Sequence, residues 1–116
     1  MQYLFLLYAN EKGWEQLSAD QRKQGEAAYV AYTNALREAK IYVGSNRLRP
    51  VGDATTVTMQ TGQASVLDGP YADTKEQLGG YYLVDVPDLD SAIAWANRCP
   101  GAHHGTIEVR PVWPMV

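Results

Sequence analysis

Residues 2–8 read Gln-Tyr-Leu-Phe-Leu-Leu-Tyr, a strand that is apolar on both of its faces. Side chains alternate along a strand, so Tyr3, Phe5 and Leu7 point one way and Leu4, Leu6 and Tyr8 the other. Such a strand has to lie in the middle of a sheet with cover on both sides. The chain has 116 residues, the size of one domain, for which a radius of gyration of about 13 Å is expected. The first strand therefore already poses the question of what lies on its second side.

The remaining elements follow from pattern. Asn10 to Trp14 reads as a loop. Ser18-Ala-Asp-Gln21 is a capping-box sequence, with Ser18 as N-cap and Gln21 reaching back. It opens a helix running to about Lys40, with Ala28, Tyr32, Ala35, Leu36 and Ala39 as its apolar stripe. Gly25 weakens that helix by about 1 kcal/mol relative to alanine, and nothing in the sequence offsets it. Ile41-Tyr-Val43 begins a second strand that loosens through Gly44 to Pro50. Thr55–Thr61 and Ala64–Leu67 form a hairpin turning at Gly62-Gln63. A strand at Tyr81–Val86 leads to a helix capped by Asp88, with Leu89, Ala92, Ile93, Ala96 and Cys99 as its buried stripe and Pro100-Gly101 as its stop. Thr106–Trp113 closes the chain as a strand that turns Ile107, Val109 and Trp113 toward the helices and Thr106, Glu108 and Arg110 away.

The order is β-α-β-hairpin-β-α-β. Two helices on one face of an antiparallel sheet make an α+β, ferredoxin-like βαββαβ domain with an inserted β-hairpin. The helices cover only one sheet face. The other carries Leu4, Leu6, Tyr8 and an aromatic from Tyr81 or Tyr82. An apolar patch of that size marks an interaction surface. A second copy packed sheet to sheet about a two-fold axis hides it most economically, so a homodimer with a barrel-like interface is expected.

Composition narrows the function classes. The net charge of −3 leaves no basic face for nucleic acid, and Arg47, Arg49 and Arg110 are too few to track phosphates. The single cysteine, Cys99, permits no intrachain disulfide. The apolar run from Tyr3 to Tyr8 is too short for a signal-peptide core or a membrane span, so a cytoplasmic, non-membrane protein is expected. His103 and His104 are adjacent and lack further ligands at metal spacing, so no metal site is expected. No motif implies a cofactor. Gly79-Gly80 precedes a strand, not a helix N-terminus, and is no phosphate loop.

Chemistry concentrates in Asp68-Gly-Pro-Tyr-Ala-Asp-Thr-Lys-Glu-Gln77, a turn followed by a polar cluster just before an apolar strand. Asp68 is either a turn-former whose carboxylate accepts backbone N–H bonds, or a base or hydroxyl anchor at the mouth of an intersubunit cleft. Glu76 and Lys75 are a solvated pair or, functionally, a positioning carboxylate and an anion-binding cation. Thr74 and Gln77 add hydrogen bonds. Glu11, just past the first strand, is either a solvated loop glutamate or, where the 68–77 segment reaches the end of the sheet, the partner of Asp68 in a two-carboxylate site. Tyr8 would wall the cleft. Glu108 and Arg110 share a strand face as an ion pair, or Arg110 anchors a carboxylate.

The stretch Asp68-Gly-Pro-Tyr71 through Gly79-Gly-Tyr-Tyr82 resembles the signature of DGPF-type proteins of the YCII-related (YciI-like) family, with Tyr71 where the family name has Phe. The likeness extends to Asp85–Asp90, Ala94-Trp-Ala96 with Arg98-Cys-Pro100, and Gly105–Pro111, in effect the whole chain. It implies a dimeric α/β barrel and bacterial proteins often associated with extracytoplasmic-function sigma factors. In the wider family a His–Asp pair is the proposed acid–base couple, with the histidine on the first helix. Here residues 18–40 contain no histidine, and Tyr29 or Tyr32 is the nearest titratable substitute. Two functions follow as expectations. One is cofactor-independent acid–base chemistry of lyase or isomerase type on a small molecule, with Asp68 and Glu76 catalytic and Tyr8, Glu11, Lys75 and Arg110 binding. The other is a non-catalytic ligand-binding regulator acting with a sigma factor.

Overall fold

Four strands form one antiparallel sheet: β1 (Gln2–Ala9), β2 (Tyr42–Arg47), β5 (Gln77–Asp85) and β6 (Thr106–Pro111), in the order β2-β5-β1-β6. The structure is a computed structural model and describes residues 1–114. Between β2 and β5 come β3 (Thr55–Gln60) and β4 (Gln63–Asp68), which pair only with each other. The helices are α1 (Glu11–Glu15), α2 (Ala19–Glu38) and α3 (Leu89–Arg98). The strand order is ferredoxin-like, and the doubly apolar β1 lies inside the sheet as its sequence requires.

On the helix side, Tyr3 and Phe5 of β1 and Tyr82 and Val84 of β5 pack against Tyr32 and Leu36 of α2 and Ala92 and Ala96 of α3, with Cys99 just beyond. Phe5, Leu36 and Val84 are fully buried, each stabilising the fold by about 1.5–3 kcal/mol. The tyrosines keep their hydroxyls satisfied. Tyr32 Oη donates to the Trp95 carbonyl at 2.7 Å, and Tyr82 Oη shares a hydrogen bond of 2.8 Å with Thr33 Oγ1. Ser18 caps α2 with both bonds of the capping box present, and Asp88 accepts the Ser91 N–H at the start of α3.

Several details depart from the sequence reading. Residues 11–15 are a helix, not loop, capped by Asn10. Helix α1 docks on α2: the Trp14 ring lies 3.2 Å from where a Cβ at Gly25 would stand, which is the offset for that glycine that the sequence did not reveal. Strand β2 continues to Arg47 instead of fading after Val43. The hairpin turns at Thr61-Gly62, with φ of 46° and 79°, one residue earlier than expected. Leu89 and Ile93 are largely exposed on α3, and Ala28 and Ala39 lie on the open side of α2. The last strand stops at Pro111, leaving Trp113 88% exposed.

The radius of gyration is 16.2 Å, larger than a rounded domain would give, and the β3–β4 hairpin, paired only with itself and exposed along most of both strands, stands apart from the four-stranded sheet. The molecule measures 47 × 47 × 19 Å. No helix among the described residues is long and apolar enough to cross a membrane.

Candidate functional site

The second face of the sheet is formed by Leu4, Leu6 and Tyr8 of β1, Tyr81 and Leu83 of β5, and Glu108 and Arg110 of β6, which sit opposite one another in the ladders. These apolar side chains are half-buried by their neighbours, and no helix covers them. Arg110 reaches Glu108 at 3.8 Å, a loose pair on an exposed surface, worth little in water. The pair runs along one strand. Asp85, at the far end of β5, binds the Met1 amino group at 2.8 Å.

A polar constellation gathers where β1 ends. Opposite the Leu7/Tyr8 step the β1–β5 register slips by one residue, so Gly80 faces Leu7 while Leu78 faces Tyr8, and Gly79 bulges out. Gln77 therefore lies on the helix side, where its Oε1 accepts the Glu11 N–H at 3.0 Å and its Nε2 donates to the Thr74 carbonyl at 2.7 Å. Glu76, one residue before, reaches the strand end through Thr106, the ladder partner of Tyr8: Thr106 Oγ1 donates to Glu76 Oε1 at 2.8 Å. Thr74 Oγ1 donates to the Glu76 carbonyl, closing the loop on itself. Gly105 brings β6 close enough for this contact. A Cβ there would stand 2.0 Å from the Tyr8 carbonyl oxygen.

Of the six residues singled out in the sequence, Tyr8, Glu11 and Glu76 meet at this end. Glu11 does so through the backbone network: its Oε1 accepts the Val51 N–H at 2.9 Å, tying the 3-10 turn Val51–Asp53 to the end of β1. The 68–77 segment does meet Glu11, but through Gln77, and among the described residues no bond joins Glu11 to Asp68. Asp68 stands at the hairpin base opposite Thr55, exposed, with Gly69 N–H bonded to the Ala54 carbonyl at 2.7 Å beside it. Lys75 is exposed and makes no ion pair among the described residues. Arg110 lies farther along β6, opposite Leu4. Sequence reasoning placed Thr106 on the correct strand face without naming its partner. That partner comes from 30 residues away, through a strand out of phase.

The tyrosines on the helix side of the sheet take no part here. Burial pushes Tyr29 up to about 12, and burial also raises Tyr32 and Tyr82. At neutral pH all three stay protonated, and Tyr32 and Tyr82 are already bonded. Cys99 is raised to about 11, again by burial. An open groove of about 530 Å³ runs along α2 between Ala28, Ala31, Tyr32 and Ala35 and the Arg98, Pro100, His103 and His104 side, and none of the six residues lines it. No cluster of metal-ligating side chains occurs among the described residues.

Comparison with known proteins agrees with this architecture. The chain matches an uncharacterized protein, R00369, of Rhizobium meliloti (strain 1021), with 37% identity over 105 residues, covering 89% of this chain and 75% of the relative. The fold is similar to that of 5-chloro-2-hydroxyhydroquinone dehydrochlorinase (TftG) from Burkholderia phenoliruptrix AC1100, solved in complex with 2,5-dihydroxybenzoquinone. There the TM-score is 0.54 at 16% identity, over 97% of this chain and 94% of the other. A family model of the YCII-related domain spans residues 1–116, and the chain belongs to the YCII-related family.

Proposed function

We propose that the protein acts as a homodimer that takes a small hydroxylated molecule at the Tyr8–Glu76–Thr106 end of its uncovered sheet face and moves a proton on it. The observation that carries this reading is the Glu76 carboxylate, held by Thr106 Oγ1 at 2.8 Å beside the apolar row of β1. A carboxylate fixed by one donor keeps its second oxygen for a substrate hydroxyl, which is what a general base needs. Tyr8 forms the wall, Lys75 and Arg110 attract an anionic substituent, and Asp68 supplies a second carboxylate from the hairpin base. Glu11 positions the site by holding Val51. The fold likeness to an enzyme named for a chlorinated hydroxyhydroquinone supports the choice of small hydroxylated rings as ligand class.

A second reading, binding without turnover, is favoured by α2. It carries no histidine, and burial moves its Tyr29 and Tyr32 hydroxyls still further from titrating at neutral pH. Calorimetry and turnover assays with di- and trihydroxybenzenes and their quinones separate the two. Proton-transfer chemistry predicts turnover that Glu76→Gln lowers at least a hundredfold. Sensing predicts binding without product, weakened about tenfold by the same change. Behaviour of Glu76→Gln identical to the parent in both assays removes Glu76 from the site and the proposal with it.

A further inference from the structure

The β3–β4 hairpin exposes an apolar face that nothing in its own protomer covers. The register pairs Val57 with Val66 and Met59 with Ala64, so these four share one face, and Asp68 lies on that same face at the base. Val57 is 62% exposed, Met59 64% and Val66 61%. Both strands are also edges, and residues 55–68 contain no charge except Asp68. Free arms in water are normally guarded by lysine, proline or inward charges. This one is not.

We infer that the hairpin is an exchange arm, laid by each protomer across the uncovered sheet face of a second copy, where it closes that copy's site. The inference rests on the homodimer proposed above and adds where the arm goes. Area favours this occupant. Four strands about 4.8 Å apart and about 20 Å long present about 400 Å², so two sheets alone bury about 800 Å², the range of incidental contacts. The apolar arm face adds about 200 Å² per protomer, which takes the pair to about 1,200 Å², within the range of specific interfaces. Leu4, Leu6 and Leu83 offer the arm an uncharged counterpart. Asp68 then faces the hollow between the subunits because it shares the buried side of the arm.

The test uses Met59→Cys in the full chain, which a photo-cross-linker labels selectively because Cys99 is buried. Mixed dimers of ¹⁴N and ¹⁵N protein are irradiated and digested, and their masses show which protomer each cross-link joins. The expected result is cross-links of mixed isotope to the β1 or β5 segments carrying Leu4, Leu6 or Leu83. A dimer by ultracentrifugation whose cross-links stay within one isotope, or that yields none, overturns the arm while leaving the dimer standing. A monomer at micromolar concentration overturns both. As a second measurement, Val57→Asp with Val66→Asp should weaken dimerisation at least tenfold, and an unchanged dissociation constant counts against the arm.

Discussion

Gly105 shows how much of this site depends on a missing side chain. Its backbone lies against the Tyr8 carbonyl, and a methyl group would stand 2.0 Å from that oxygen. Gly105→Ala should destabilise the fold by about 3 kcal/mol, read from urea unfolding, because backbone rather than a flexible side chain has to move. Cys99 makes the opposite point, a reactive group made inert. Its burial raises the thiol to about 11, so it should not react with thiol reagents at pH 8 until the protein is unfolded. At this scale the sequence was partly legible. Asp68, Glu76 and Glu11 stood out as charge next to apolar strands, but Thr106 and Gly105 become meaningful only once β6 lies beside β1. No local pattern encodes a partner 30 residues away.

At the scale of elements, the strongest local signals in the sequence correspond to elements of the structure. The Ser18–Gln21 capping box is present, and Ser18→Ala should cost about 1 kcal/mol by thermal or urea unfolding. The five-residue α1 escaped because a helix that short has no propensity signal of its own. It exists by docking, with Arg22 donating to the Trp14 and Glu15 carbonyls and the Trp14 ring resting over Gly25. The apolar repeat of α3 is wider than its buried face, since Leu89 and Ile93 recur at helical spacing yet stay exposed. The hairpin turn places Thr61 at φ 46°, an uncomfortable conformation for a β-branched residue. Thr61→Asn should stabilise the hairpin by about 0.5–1 kcal/mol, seen as slower amide exchange in β3 and β4, because asparagine accepts that conformation and suits this turn.

For the molecule as a whole, the sequence identified a layered α+β fold and an unfinished sheet face, but not the shape. Nothing in a period-two pattern tells whether a hairpin folds back or stands apart, and here it stands apart. The buried acids also set a stability limit. Cys99 and Tyr29 hold their protons to about 11 and about 12, against ordinary values of 9.0 and 10.0. Above pH 9 the unfolded chain binds fewer protons than the folded one. The stability these groups contribute is complete below that point and is lost as pH rises through 11 and 12. Calorimetric scans should show Tm falling steadily from pH 9 upward, with no such loss from these groups between pH 7 and 9. The slipped step opposite Leu7 and Tyr8 reaches further than its size suggests. Counting back by twos from the inward-pointing Val84 and Tyr82 would send the acid at 76 inward too, under the helices. One surplus glycine reverses that parity. Deleting it would leave the acid looking outward along a regular ladder, whereas keeping it and straightening the strand would turn the acid to the opposite side.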